Sequence, residues 1–210
     1  LLTGLIVGNA IAGIQSQHVV STIKHYALNN LETARMTMSA DIAPAAARES
    51  DLLAFEIAIE TGHPGSVMCS YNRVNSVYAC ENDWLLGKVL KHDWHYPGYV
   101  MSDWGAVHSA AKSALAGLDQ ESAGETFDKE VYFDKPLRAA VASGQVPPSR
   151  IDDMTRRILR SLFADGVIDH PAKQAPIDFA ADRKVAQWVE EAGAVLLRNQ
   201  DALLPLSASQ

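Results

Sequence analysis

Residues 99–107 read Tyr-Val-Met-Ser-Asp-Trp-Gly-Ala-Val. Tyr99, Val100 and Met101 have the character of a buried strand end, and Asp103 stands where that strand stops, followed by Trp104 and Gly105. A carboxylate at the mouth of a parallel sheet, beside a large aromatic plate, suits the chemistry of a sugar ring. The carboxylate supplies charge or a nucleophile, and the indole supplies a flat apolar face. The structural alternative gives Asp103 the cap of the following helix and Trp104 a place in the core.

Three further polar clusters fall at the ends of apolar runs: Lys24-His25, Tyr71-Asn72 and Asp119 with Glu121. Each has a structural alternative. Lys24-His25 can be surface residues, Arg35 a helix-surface charge and Tyr71 a packing residue. Met68, alternating along its strand, can be plain core. Asp103 and Glu121 also suggest a carboxylate pair, the pattern that acid-base hydrolysis uses. His18, His63, His92, His95, His108 and His170 lack matched partners and read as structural or exposed.

The elements that must position these groups alternate strand-like and helical runs. Strands are expected at Val19–Lys24, Ser66–Tyr71 and up to Asp103, with a short one at Leu118–Glu121. Helices are expected at 5–17, at Pro44–Glu60 with Leu52, Phe55 and Ile59 on one face, and at Asn82–His92. Further helices fall at Val107–Gly117, Lys135–Ser143, Pro148–Phe163 and Ala181–Gly193. Strands separated by helices imply βαβ units and a parallel sheet, as a barrel or a doubly wound sheet. Polar groups on four consecutive strand ends favour the barrel, whose active-site face lies at the C-terminal ends of its strands.

The 210 residues are 48% hydrophobic and 20% charged, with a net charge of −7. This is a globular composition without disordered or fibrous bias. The one dense basic stretch, Arg156-Arg157 with Arg160, fits a solvated helix face, so nucleic acid is not expected as a partner. No G-x-G-x-x-G or Walker motif supports nucleotide binding. No apolar run of about 18 residues suggests a membrane span. No Cys/His cluster has metal-site spacing, so neither metal nor organic cofactor is expected. Cys69 and Cys80 are eleven apart; two reduced thiols are favoured slightly over a local disulfide. After about Asp165 the character changes. Residues 169–176 form a Pro-interrupted connector, and Ala194–Asn199 reads as a strand.

Taken together, these residues resemble glycoside hydrolase family 3, the retaining β-glucosidases. The resemblance rests on Ile23-Lys24-His25-Tyr26 with Asn29-Asn30, on Glu32-Thr33-Ala34-Arg35-Met36, and on the run from Gly65 to Asn75. It continues through Glu81-Asn82-Asp83-Trp84-Leu85-Leu86, Gly98 to Ala106 and Ala116-Gly117-Leu118-Asp119, and ends with Val195–Asn199 and Leu203–Leu206. These pieces run in the family's order over nearly the whole chain.

The resemblance implies an α/β fold: the C-terminal part of a TIM-like barrel at 1–165, a linker at 166–180, and the beginning of a truncated α/β sandwich domain, with its first strand, at 181–210. It implies that Asp103 is the nucleophile, that Lys24, His25 and Arg35 bind sugar hydroxyls, that Tyr71 and Met68 line the sugar pocket, and that Trp104 walls it. The family's acid/base glutamate comes from the second domain, which argues against the Asp103/Glu121 pair. The segment Asp119-Gln120-Glu121-Ser122-Ala123-Gly124 departs from the family's acidic-Met-Pro pattern. Lys24-His25 is followed by Tyr-Ala-Leu-Asn-Asn and not by the Gly-rich loop of the N-acetylglucosaminidase subgroup. This favours a glucosidase or xylosidase, and Trp104 leans toward glucose. The resemblance further implies a β-glucoside or short oligosaccharide substrate, the remainder of its own chain as partner, and a periplasmic or secreted setting. A competing expectation treats these 210 residues alone as an inactive sugar-binding or structural piece.

Overall fold

The computed structural model describes residues 1–127 and 130–207. The chain divides into two compact units, Leu1–Pro171 and Ala172–Gln210.

The first unit opens with helix α1 (Leu2–Gln15), then strands β1 (Thr22–Tyr26) and β2 (Ser39–Ala40), helices α2 (Pro44–Glu49) and α3 (Asp51–Gly62), and β3 (Ser66–Cys69). There follow the hairpin strands β4 (Arg73–Val74) and β5 (Val77–Tyr78), a π-helical segment Trp84–Asp93, and β6 (Tyr99–Ser102). Helices α4 (Ala110–Ala116), α5 (Gly124–Phe127), α6 (Lys135–Ala142) and α7 (Pro148–Ala164) complete it. In the second unit, α8 (Phe179–Gly193) starts on Asp178, whose carboxylate accepts the N–H groups of Ala180 and Ala181 at 3.1 and 3.0 Å.

The principal sheet is β1-β3-β6, all parallel, in register Ile23–Val67–Val100. Parallel strands need crossover connections, and the helices that supply them cover one face. On that face Ile23, Val67 and Val100 join Leu85, Leu86, Val89 and Leu90 in the main core cluster. Met68 and Met101, paired across β3 and β6, point to the opposite face, as does Asp103 by the same alternation. β1 departs from regular pairing: Ile23 opposes Val67 but Tyr26 opposes Cys69, so Lys24 and His25 together stand against Met68 alone. This is a bulge, a device that re-aims side chains.

The small-apolar character of α1 has a packing purpose. A Cβ on Gly4 would lie 2.8 Å from Ile57 Cβ, and one on Gly8 2.6 Å from Thr61 Cβ, so these glycines let α1 lie close on α3.

Several elements differ from the pattern-based reading. The helix expected over Pro44–Glu60 breaks at Ser50, whose hydroxyl donates to Ala46 O (2.7 Å) and competes with the helical ladder. The segment Trp84–Asp93 is π-helical; buried residues at 85, 86, 89 and 90 suit the wider turn as well as an α turn. The hairpin β4–β5 was not expected. Its two-residue turn places Asn75 and Ser76 at φ 50° and 71°, the left-handed region that primed hairpin turns require. By returning the chain, the hairpin brings Cys80 to Cys69, and the two form a disulfide with Cα atoms 5.3 Å apart, correcting the expectation of reduced thiols. Ala194–Asn199 is not a strand: a strand needs a neighbour for its N–H and C=O groups, and the described residues give it none. The first strand expected for a second domain is therefore absent from the described residues.

Leu118–Glu121 forms a single parallel bridge, Met101 with Gln120, instead of a strand. The cause is Asp119. Its carboxylate takes the Val100 N–H (2.8 Å) in place of a backbone acceptor, while the N–H groups of Asp119 and Gln120 both donate to Val100 O. Asp119 is fully buried and is balanced by Lys91 (2.8 Å) and Arg150 (2.6 Å). Burial pushes the Lys91 ammonium down to about 8, and Asp119 opposes that shift. Removing one partner of a buried ion pair strands the other charges. Asp119→Ala is expected to lower unfolding free energy by about 3–5 kcal/mol, whereas Arg138→Ala, which breaks the exposed Arg138–Asp134 pair, is expected to cost about 0–1 kcal/mol. Urea denaturation of both variants checks this; equal losses contradict it.

Candidate active site

Three strand ends of the sheet converge. β1 supplies Lys24 and His25, β3 leads into Ser70 and Tyr71, and β6 leads into Asp103. Asp103 is 7% exposed. Its own N–H donates to Cys69 O (3.2 Å), which continues the β3–β6 pairing one residue beyond the strand. Its carboxylate is held on both oxygens: Oδ1 accepts the Trp104 N–H at 2.8 Å, and Oδ2 lies 3.2 Å from His25 Nε2. Asp103 thus makes a local turn contact of the capping kind and also meets a histidine from another strand. The first belongs to a structural aspartate; the second does not follow from capping.

His25 is partly buried, and that burial lowers its pKa below the ordinary 6.5. The Asp103 charge raises it, Lys24 and Arg35 lower it, and Glu32 raises it. Neutral His25 can donate Nε2–H to Asp103 in the tautomer that this contact demands. Lys24 is exposed and lines, with His25, Asn29, Asn30, Asp51 and Phe55, a cavity of about 460 Å³. The wall of that cavity is tied by Asn30 Nδ2 donating to Asp51 Oδ1 (2.6 Å).

Arg35 sits in the loop after β1. It pairs with Glu32 at 2.7 Å, and its guanidinium lies 4.5 Å from the centre of the Tyr71 ring. Tyr71 is buried beneath it. Such a cation over an aromatic face is a specific contact of modest energy, about 0.5–2 kcal/mol. Trp104 is 51% exposed, so it presents apolar surface to solvent directly beside the buried carboxylate. Met68 is buried on the face of the sheet that Asp103 shares.

The structure therefore joins His25 to Asp103 and Arg35 to Tyr71. It places Trp104 next to Asp103 in the chain, and Lys24 and Met68 on the neighbouring strand ends. Glu121 Oε2 accepts the Phe133 N–H at 2.6 Å, a fixing role in the loop before α6. Asp119 is committed to Lys91 and Arg150 and does not face the site. Two features escaped the residue pattern. One is the bulge that brings Lys24 and His25 forward together. The other is the Glu32–Arg35–Tyr71 arrangement, for which Glu32 three residues before Arg35 was the only available signal. Among the described residues no group of three or more His, Cys, Asp or Glu could hold a metal ion, and no helix is long and apolar enough to cross a membrane.

Comparison with known proteins accounts for this arrangement. The model of the Glycosyl hydrolase family 3 N terminal domain matches residues 2–161. A beta-glucosidase of Rhizobium radiobacter is 41% identical over 201 residues, covering 95% of this chain and 24% of that protein. An exo-alpha-(1->6)-L-arabinopyranosidase of Bifidobacterium longum is 37% identical over 206 residues, covering 94% of this chain and 25% of that protein. Among solved structures, beta-glucosidase D2-BGL from Chaetomella raphigera matches with a TM-score of 0.87 at 37% identity, over 97% of this chain and 30% of that one. The chain thus spans between about a quarter and three tenths of the length of these relatives. Its three parallel strands with their helices form part of the TIM-like barrel of those enzymes. The chain belongs to glycosyl hydrolase family 3.

Proposed function

We propose that this chain supplies the nucleophile and much of the sugar-binding surface of an exo-acting β-glucosidase that retains anomeric configuration. The observation that carries the reading is the Asp103 carboxylate: buried at a strand end, held on one oxygen by the Trp104 N–H and on the other by His25, beside an exposed indole. An Asp103 oxygen attacks the anomeric carbon, the glycosidic C–O bond breaks, and the leaving oxygen takes a proton from an acid. Water then hydrolyses the glycosyl–Asp103 ester, with the same acid acting as base. In a retaining enzyme the two carboxyl groups sit about 5–5.5 Å apart. Asp119 and Glu121 are committed to other partners, so the acid is expected from outside these residues. Lys24 and Arg35 contact sugar hydroxyls, Arg35 with a planar fork and Lys24 as a point charge. Met68 and Tyr71 line the glycone pocket, and Trp104 stacks on the ring. The reading assigns no cofactor.

The domain reading that goes with this function gives 1–165 to the barrel, 166–180 to a linker and 181–210 to the start of a second α/β domain. A second substrate reading, hydrolysis of a terminal pentopyranoside, is favoured by the Bifidobacterium relative.

In a family-length protein carrying this chain, Asp103→Asn is expected to lower kcat by about 10³–10⁶-fold, since loss of a covalent nucleophile removes the route itself. Turnover within tenfold of wild type would defeat the assignment. A panel of aryl β-glucoside, β-xyloside, α-L-arabinopyranoside and β-N-acetylglucosaminide is expected to rank the glucoside first in kcat/KM. A pentopyranoside in first place selects the second reading.

His25 gives a prediction with a definite sign. Its burial disfavours the imidazolium, so the ring charges only as pH falls through a value below 6.5. Asp103→Asn removes the carboxylate that raises this value, so the midpoint is expected to fall further. Titration of the histidine Cε1 resonances by NMR in both proteins measures it. A wild-type midpoint at or above 6.5, or an upward shift in the variant, contradicts the contact as described.

A further inference from the structure

The third edge of the catalytic strand is held by an ionic group outside the site. On its inner edge β6 pairs with β3 through a full parallel ladder, ending in the Asp103 N–H bond to Cys69 O. On its outer edge it has one bridge and a side chain. Asp119 Oδ2 accepts the Val100 N–H at 2.8 Å, Val100 O accepts the N–H groups of Asp119 and Gln120, and Ser102 N–H donates to Gln120 O at 2.9 Å. Ser102 Oγ in turn accepts the Ser122 N–H. The Asp119 carboxylate is itself fixed from two other elements. Lys91, near the end of the π-helical segment, reaches both its oxygens at 2.8 Å and also donates to Gly117 O. Arg150, near the start of α7, reaches Oδ1 at 2.6 Å and also donates to Ala114 O and Leu118 O.

We propose that Asp119, held by Lys91 and Arg150, is a positioning residue that sets the location of β6 and, through it, of the Asp103 carboxylate. This rests on Asp103 being the nucleophile. The physical basis is reach. Val100 lies three residues before Asp103, about 10 Å along a strand at 3.3 Å per residue, and the main outer-edge tethers fall within that span. Attack on an anomeric carbon tolerates little displacement, since misplacement by about 1 Å can cost about 10²-fold. A carboxylate with two cations against it has less freedom than a backbone carbonyl on an unpaired edge. The network therefore converts ionic attraction in the helix layer into a fixed strand end on the other side of the sheet.

The test is mechanism-based inactivation of a family-length protein with 2-deoxy-2-fluoro-β-D-glucosyl fluoride. An Asp103 oxygen displaces fluoride to leave a slowly hydrolysed glycosyl ester, and fluoride departs without an acid catalyst, so the rate reads the nucleophile alone. The first-order rate constant at saturation also counts only folded molecules. Asp119→Asn keeps an acceptor for Val100 but removes the charge; Lys91→Met leaves the Arg150 pair in place and serves if the first variant does not fold. The expected result is label on Asp103, an inactivation rate constant about 10- to 100-fold lower in Asp119→Asn, a several-fold loss in Lys91→Met, and a half-saturating inactivator concentration within threefold of wild type. Leu137→Ala, in the separate cluster around α6, is expected to lower Tm with no change in the rate constant. Rate constants within twofold of wild type in the folded Asp119 or Lys91 variant overturn the positioning role. Label on a residue other than Asp103 overturns the nucleophile reading, and the positioning role with it.

Discussion

A carboxylate buried without water must be met by charge, and Asp119 is met twice. Lys91 and Arg150 come from different elements, and Val100 gives it a backbone N–H from a third. Arg150 goes on to Asp153, and Asp153 to Arg157, whose guanidinium donates to the carbonyls of Tyr96 and Gly98 just before β6. The helix layer is therefore bonded to both ends of one strand. Hydrophobic burial of Val100 against Leu86 and Val89 brings the layers together without fixing their relative slide. The polar chain supplies that fix, because hydrogen bonds and ion pairs tolerate little displacement. The same requirement removes the short strand that alternation suggests at Leu118–Glu121.

How much of this was legible in the sequence differs by type of interaction. The three parallel strands were legible because each is a short apolar run bounded by turn residues. The amphipathic helices α6 and α7 were legible from periodicity and from the prolines at their starts. What periodicity did not carry was any element whose form is decided by a single side chain bonding to backbone. Ser50 breaks a helix in this way, and Asp119 replaces a strand. Nor did it carry the hairpin at Asn75-Ser76, where the signal was one asparagine in a two-residue gap. Asn75 also bonds both backbone groups of Ile42, a contact 33 residues distant that no local window contains. The disulfide was hidden for the same reason: it exists because the hairpin returns Cys80 to the end of β3.

The candidate site was more legible than the fold in residue identity and less so in geometry. Asp103 and Trp104 stood out as types, and Lys24-His25 as a polar break at a strand end. Their relation did not. A capping aspartate and a nucleophilic aspartate look alike in sequence, and Asp103 makes the Trp104 N–H bond that either would make. Only the His25 contact from another strand separates them. Arg35 carried the ambiguity of any surface cation until its position over Tyr71 was seen.

The bulge in β1 has a consequence for how this strand can change over time. In regular pairing, one position of β3 faces one of β1, and successive side chains go to opposite sides. Here Lys24 and His25 share the span facing Met68, and Tyr26 resumes register in the core with its hydroxyl on Leu85 O. Deleting either residue would not simply remove one polar group. It would shift every following position by one, turning Tyr26 out of the core and sending the Asn29–Arg35 loop off along a different path. A single-codon deletion at this point therefore changes the site wholesale, whereas a substitution at Lys24 or His25 trims one prong and leaves the other in place.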